Sequence, residues 1–275
     1  MLRSSYHPEN QYEIGVDEAG RGPLFGRLYV AAVLPPLQGF ENPAIRDSKK
    51  IKSEKKLKEL SEFIKKNARA WAIHYIEHDV IDKINIRQSV FQGMHECIRQ
   101  CLNGIDVFDS KILLLIDGND FKPYSVFSPL NIYNGTPLGV PLEMQGQQLP
   151  INELNGTPPE GACPISNLHR CKDDRLMTLP FETIEQGDNE YQAIAAASIL
   201  AKTARDEYIA DLCRQYPELS QRYSLEKNKG YGTRAHLEGI VAHGITQWHR
   251  RTYARCTGAL DSPLALIKPE VPPAS

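Results

Sequence analysis

Five short segments of the chain have strand character, and three of them finish in aspartate: YEIGVD (Tyr12–Asp17), KILLLIDG with Asp117 before its glycine, and FETIEQGD, which closes on Asp188. The first is followed at once by a second acid, Glu18, and then by Gly20-Arg21-Gly22-Pro23. Strand ends that face loops are where α/β folds build their sites. If these segments neighbour one another in one sheet, four carboxylates converge. Two like charges about 4 Å apart repel by roughly 4 kcal/mol at an effective dielectric near 20. Such a cluster either raises its own pKa values or calls for cations.

The remaining segments frame that sheet. RLYVAAVLP (27–35) is β-rich and ends at prolines, so it pairs with the first strand as a meander. SEKKLKELSEFIKKN (53–67) sets Leu57, Leu60 and Ile64 at helical spacing behind Ser53, a candidate N-cap. RAWAIHYIE (69–77) alternates as a strand, and Asp79–Leu102 reads as one long helix. NEYQAIAAASILAKTARDEYIADLCRQY (189–216) is an alanine-rich helix whose small side chains suit close packing on a sheet, and RAHLEGIVAHG is another helix. Strands in a meander, then strands alternating with helices, predict α/β or α+β with a mixed sheet. Between Lys122 and Pro180 lie nine of the nineteen prolines and few charges, with YNGTPLGVP and LNGTPPEG as turn-rich stretches. A structureless loop of that length is uncommon inside a domain, so residues 122–180 read as an insertion. The expected organisation is one catalytic domain over 1–260 carrying this insertion, and a disordered tail over 261–275.

Composition bounds the function. Apolar residues make up 41% and charged residues 24%, as in ordinary globular chains. No stretch approaches the roughly 20 apolar residues of a membrane span, and MLRSSYHPENQYE has no apolar signal core. The net charge of −2 argues against a general nucleic-acid coater but leaves room for a local basic groove. The six cysteines are scattered and read as reduced thiols of a cytoplasmic protein. His95, Cys97 and Cys101, or Cys163, His169 and Cys171, lack the paired C-x-x-C spacing of a zinc site. Asn134 and Asn155, each in Asn-Gly-Thr, read as turn residues.

Hard divalent ions answer the acid cluster. Mg2+ and Mn2+ prefer oxygen ligands and keep waters that a phosphate can displace. Two such ions can activate water and stabilise a leaving oxygen in phosphodiester hydrolysis. Plainer readings stand beside this one. Asp117-Gly118 is a common turn, Asp188 can cap the following helix, and adjacent strand residues such as Asp17 and Glu18 face opposite ways unless the chain turns. The Gly-Arg-Gly stretch lets backbone approach a ligand, and Arg21 can pair with a phosphate; a tight turn with a surface arginine fits it equally.

Taken together, GVDEAGRGP, DSKK (47–50), LLIDG, GDNEYQAIAAASILAKTARD, NKGYGT (228–233) and HRRTY (249–253) resemble the ribonuclease HII family, in that family's order and in both halves of the chain. The resemblance implies a ribonuclease H-like fold: a mixed five-stranded sheet flanked by helices, with a helical C-terminal region. It implies hydrolysis of RNA in RNA–DNA hybrids and cutting 5′ of ribonucleotides embedded in duplex DNA, by two-metal-ion catalysis with Mg2+ or Mn2+, leaving a 3′-hydroxyl and a 5′-phosphate. Asp17, Glu18 and Asp117 match the family's metal ligands; Asp188 is the fourth, with Asp206 its rival, expected instead in a structural ion pair. Gly20, Arg21 and Gly22 would read the 2′-hydroxyl, Tyr231 would pack on the sugar, and Lys49, with Lys50 as a further candidate, would approach the scissile phosphate. Lys202, Lys229, Arg250 and Arg251 are candidates for more distant phosphates. The partner is a nucleic-acid duplex, the chain is expected to act as a cytoplasmic monomer without a membrane, and the role is ribonucleotide removal. A catalytically silent hybrid-binding protein is the alternative. The departure from the family pattern is the 71 positions between Asp117 and Asp188, where relatives have a much shorter loop.

Overall fold

The computed structural model describes residues 2–40, 42–51, 53–107, 110–125 and 178–262. Most of the expected insertion, with Cys163, His169, Cys171, Asn134 and Asn155, and the tail from 263 lie outside them. The chain divides into two compact units, Met1–Lys122 with Pro180–Ser275, and Pro123–Leu179. In the second, Ser125 and Thr178 form an antiparallel bridge. Everything that follows concerns the first.

Its five strands are β1 (Tyr12–Ala19), β2 (Leu28–Leu34), β3 (Ala70–Ile76), β4 (Ile112–Asp117) and β5 (Phe181–Ile184), in the order β3-β2-β1-β4-β5. β1 runs antiparallel to β2 and parallel to β4, and β5 runs parallel to β4. The sheet is therefore mixed, and its parallel half brings the carboxyl ends of β1, β4 and β5 to one edge. β2 and the middle of β1 are buried throughout, as expected of strands covered on both faces. On one face α1 (Glu54–Asn67) and α4 (Gln192–Gln215) pack on Ala31 and Val33 through Leu57, Leu60, Ile64 and the alanines of α4. On the other, α3 (Ile86–Cys101) sits so close that a Cβ on Gly93 would lie 2.6 Å from Val30 Cγ2.

Ser53 caps α1, accepting from the Lys56 N–H at 3.3 Å. The expected helix over 79–102 is two helices, α2 (His78–Ile84) and α3. Asn85, at φ 68°, turns the chain between them and caps α3 through its side chain. Asparagine tolerates that left-handed backbone, and the apolar periodicity runs on across it, which hides the break. Cys97 and Cys101 are buried thiols donating to the carbonyls of Val30 and Ala32. Burial holds the Cys97 thiol well above its usual range and pushes Cys101 up to about 12, so both are packing residues.

The C-terminal region is helical: α5 (Pro217–Tyr223), α6 (Leu225–Asn228) and α7 (Arg234–His243) close over Leu24, Phe25 and Ile209. Inside it lies an ordered chain of polar groups. The Thr246 N–H donates to His249 Nδ1 at 2.9 Å, so the His249 proton sits on Nε2 and is donated to His236 Nε2, 3.1 Å away. His236 then carries its own proton on Nδ1 and donates to the Tyr231 carbonyl at 3.0 Å. Both rings are neutral and buried. Burial, then His236 and His78, push His249 down to about 3.

Two outcomes are expected. A Cβ on Gly15 would lie 2.2 Å from the Ala193 carbonyl carbon, a backbone atom that cannot swing aside. Gly15→Ala should lower stability by about 1–3 kcal/mol in chemical denaturation. His249 has a depressed pKa in the folded state, so its contribution is complete above about pH 6.5, the unfolded value, and is lost as pH falls from there towards 3. Acidification from pH 7 to 5 should cost on the order of 1 kcal/mol per unit through this ring. His249→Gln should flatten that slope relative to the parent chain.

Candidate active site

β1 and β4 are in register from Tyr12 opposite Ile112 to Val16 opposite Ile116, and the next residues along the two strands are Asp17 and Asp117. β1 does not stop at the acids; it continues through Glu18 to Ala19, paired with β2. Asp188 is not at a strand end. β5 stops at Ile184, Gln186 turns the chain at φ 58°, and Asp188 lies in the single 3-10 turn Gly187–Asn189 just before α4. That turn still delivers Asp188 to the same edge: the N–H groups of Gly187 and Asp188 itself point at the Asp117 carboxylate.

The acids act on one another. Asp17 is buried, accepts from the Glu18 N–H at 2.7 Å and is hydrogen-bonded to Ser198. Burial, then Glu18 and Asp117, hold its pKa well above the usual carboxylate range. Burial and Asp117 likewise raise Glu18, against Arg21, whose Nη1 lies 3.7 Å from Glu18 Oε1. Burial raises Asp117, and its Oδ1 is buried without a hydrogen-bond partner. Asp188 is pushed up to about 6 by burial, then by Asp117 and Asp47. Burial works against the Lys49 ammonium, but Asp188, Asp17, Asp47 and Asp117 more than offset it and raise its pKa.

Asp47 is an acid of this cluster that pattern reading passes over. It caps the 3-10 turn Ser48–Lys50, accepting from the Lys49 N–H at 2.8 Å, and in DSKK it looks like a turn residue. The turn is tied to α4 by a 3.0 Å hydrogen bond between Ser48 and Ser198. Among the described residues no three or more His, Cys, Asp or Glu side chains form a group able to hold an ion. The donor chemistry nonetheless fits a hard divalent cation: carboxylate oxygens only, each disfavoured as an anion where it stands, and one buried oxygen unpaired.

Beyond Glu18 the chain enters Gly20-Arg21-Gly22. Gly20 adopts φ +99°, and a Cβ there would sit 2.3 Å from Arg205 Nε, so only glycine fits. A Cβ on Gly22 would lie 3.7 Å from Tyr231 Cε1, so the loop and the half-exposed Tyr231 ring are neighbours. The Arg205 guanidinium lies 5.8 Å from the centre of that ring. The structure thus joins Gly20, Arg21, Gly22 and Tyr231 into one surface, linked to the acids through the Arg21–Glu18 pair.

Of the remaining cations, three sit in ion pairs and one is buried. Lys202 pairs with Asp206 at 3.6 Å, which gives Asp206 its structural ion pair. Lys229 pairs with Glu54 at 3.3 Å and Arg251 with Asp261 at 2.5 Å. Arg250 is fully buried and cannot reach a distant phosphate, because loop carbonyls absorb its donors. An open groove of about 830 Å³ lies elsewhere, between α7 and the loop carrying Arg255 and Leu260, and contains none of these acids.

Comparison with known proteins bears on the family and the fold. The family model described as ribonuclease HII matches residues 14–123 and 162–256. Ribonuclease HII of Parabacteroides distasonis is 36% identical over 248 residues, covering 90% of this chain and 92% of the relative. Among solved structures, ribonuclease H2 of Pyrococcus horikoshii superposes with a TM-score of 0.56 at 18% identity, covering 90% of this chain and 95% of the other. Bst-RNase HIII, solved in complex with Mn2+, superposes at 0.52 and 16%, covering 89% and 68%. These two likenesses bear on the fold, the ribonuclease H-like sheet with its flanking helices. The chain belongs to the ribonuclease HII family of metal-dependent endoribonucleases.

Proposed function

We propose that this chain cleaves the RNA strand of RNA–DNA hybrids and cuts 5′ of single ribonucleotides embedded in duplex DNA, leaving a 3′-hydroxyl and a 5′-phosphate. The observation that carries the reading is the edge where Asp17, Glu18, Asp117 and Asp188 crowd one another beside the Gly20–Gly22 and Tyr231 surface. Two bound divalent ions, Mg2+ or Mn2+, supply an activated water and stabilisation of the leaving oxygen.

The protein's own groups do the rest. Asp17, Glu18, Asp117 and Asp188 hold the charge that the ions neutralise, with Asp17 kept in place by Ser198 and the Glu18 N–H. Lys49, held cationic by the acids around it, meets the scissile phosphate. Gly20, Arg21 and Gly22 present backbone to the ribose, whose 2′-hydroxyl distinguishes RNA from DNA. Tyr231 packs against the neighbouring sugar, its backbone held by His236. The substrate is recognised by shape and sugar, so the base sequence around the ribonucleotide matters little. Ribonucleotide removal from the genome is the corresponding role, carried out by a monomer in the cytoplasm.

The test uses three duplexes: DNA with one ribonucleotide, the matched all-DNA duplex and an RNA–DNA hybrid. The parent chain should cut the first and third with Mg2+ or Mn2+, none with chelator, and never the all-DNA duplex. Cutting of all-DNA at the same rate would sink the reading, and binding without cutting would favour the silent hybrid-binding alternative. Asp117→Asn and Asp188→Asn should each lower kcat by more than about 100-fold, since loss of outer-shell partners alone costs about 10–100-fold. Asp206→Asn should stay within a few-fold of the parent. Tyr231→Ala should weaken cutting at a single ribonucleotide by about 10- to 100-fold, the range of one lost stacking contact.

A further inference from the structure

Arg250 is the largest fully buried side chain, and no carboxylate lies within ion-pair distance of it among the described residues. A guanidinium without a carboxylate partner in the interior is costly, so what it binds instead is informative. Its donors go to one loop. Nη2 donates to the Gly20 carbonyl at 2.7 Å, Nη1 to the Arg21 carbonyl at 3.2 Å and Nε to the Gly26 carbonyl at 3.0 Å. Nη1 also donates to the Tyr253 hydroxyl at 3.0 Å, and that hydroxyl donates to the same Arg21 carbonyl at 2.7 Å.

The peptide geometry gives these bonds a consequence on the opposite side of the loop. Every described peptide is trans, and in a trans peptide the C=O and the N–H point in opposite directions. The Gly20 carbonyl shares its peptide with the Arg21 N–H, and the Arg21 carbonyl shares its peptide with the Gly22 N–H. With both carbonyls drawn inward to one buried fork, both amides are turned outward. Arg21 and Gly22 are exposed, and neither amide has a hydrogen-bond partner among the described residues. Two adjacent outward N–H groups beside Tyr231 form a donor pair suited to an oxygen of a sugar or phosphate.

We infer that Arg250, assisted by Tyr253, is the positioning residue for ribose discrimination: it sets the amides of Arg21 and Gly22 in the orientation that meets the sugar hydroxyl. It touches neither substrate nor ions. This rests on the functional reading above, which places the Gly20–Gly22 loop at the ribonucleotide. Lysine in its place keeps the charge but, as a point donor on a flexible stem, cannot hold three carbonyls in a fixed fork.

The experiment measures equilibrium binding in Ca2+, which slows cutting, of the full chain to a duplex with one ribonucleotide and to the matched all-DNA duplex. The ratio of the two dissociation constants does not depend on the fraction of folded protein. The parent chain should favour the ribonucleotide duplex. Arg250→Lys should lower that ratio by about tenfold, what one misaligned hydrogen bond can cost, while Mn2+ binding measured by calorimetry stays at the parent value. Tyr253→Phe should lower the ratio in the same direction by less. A folded Arg250→Lys variant with the parent's ratio overturns the inference. If that variant does not fold, Tyr253→Phe decides, and an unchanged ratio overturns it as well. No preference in the parent chain itself would instead overturn the functional reading, before any variant is considered.

Discussion

The contact on which the site depends is the meeting of two backbones, β1 at Gly15 and α4 at Ala193, with no side chain between them. It sets the height of α4 above the sheet, and α4 then reaches each part of the site in turn. Ser198 holds Asp17 and the 3-10 turn that carries Lys49. One and two turns further on, Lys202 takes up Asp206, and Arg205 lies under Gly20 and Tyr231 and donates to the Phe25 carbonyl. A shift of the helix would move the acids, Lys49 and the Gly20–Gly22 loop together. The run of alanines in α4 is what lets the helix come so near.

Charge in this molecule is segregated by task. Acids gather where β1 and β4 end, and burial raises the proton affinity of each catalytic candidate; the edge is unfavourable as a set of bare anions and is relieved by cations. Lys49 and Arg21 supply part of that relief from the surface. Arg205 and Arg250 do not. Arg205 is pushed down to about 10 by burial and by Arg250, and it donates to the Phe25 carbonyl while Arg250 donates to those of Gly20, Arg21 and Gly26. A charged group kept in the interior without a carboxylate in ion-pair contact is a costly way to hold a loop.

Much of this was legible along the chain. Strand-like patterns marked all five strands, the alanine-rich segment marked the helix that packs closest, and aspartates closing those runs pointed to the edge where they meet. What was not legible depended on backbone turns or distant partners. Asp188 reads as a strand end because FETIEQGD is continuous in pattern, yet the strand stops four residues earlier and a left-handed Gln186 redirects the chain. Asp47 has no role in the sequence reading of DSKK, and only the folded chain brings its carboxylate to Asp188. Arg250 in HRRTY reads as a surface cation, because the carbonyls that bury it belong to residues 20, 21 and 26 and leave no mark near position 250.

That separation has a bearing on how the protein comes into being. The bond from Arg250 to Gly20 spans 230 positions, and Tyr253 reaches back 232 to Arg21. Chains are made from the amino terminus, and domains order as their partners emerge. A nascent chain that has not yet reached residue 250 already contains every acid of the edge but not the guanidinium that binds the Gly20 and Arg21 carbonyls. The parts that would cut are synthesised long before the part that would make the cut selective. Loop closure over such a distance comes late in folding, so the Arg250 fork would be among the last parts of the loop's support to form.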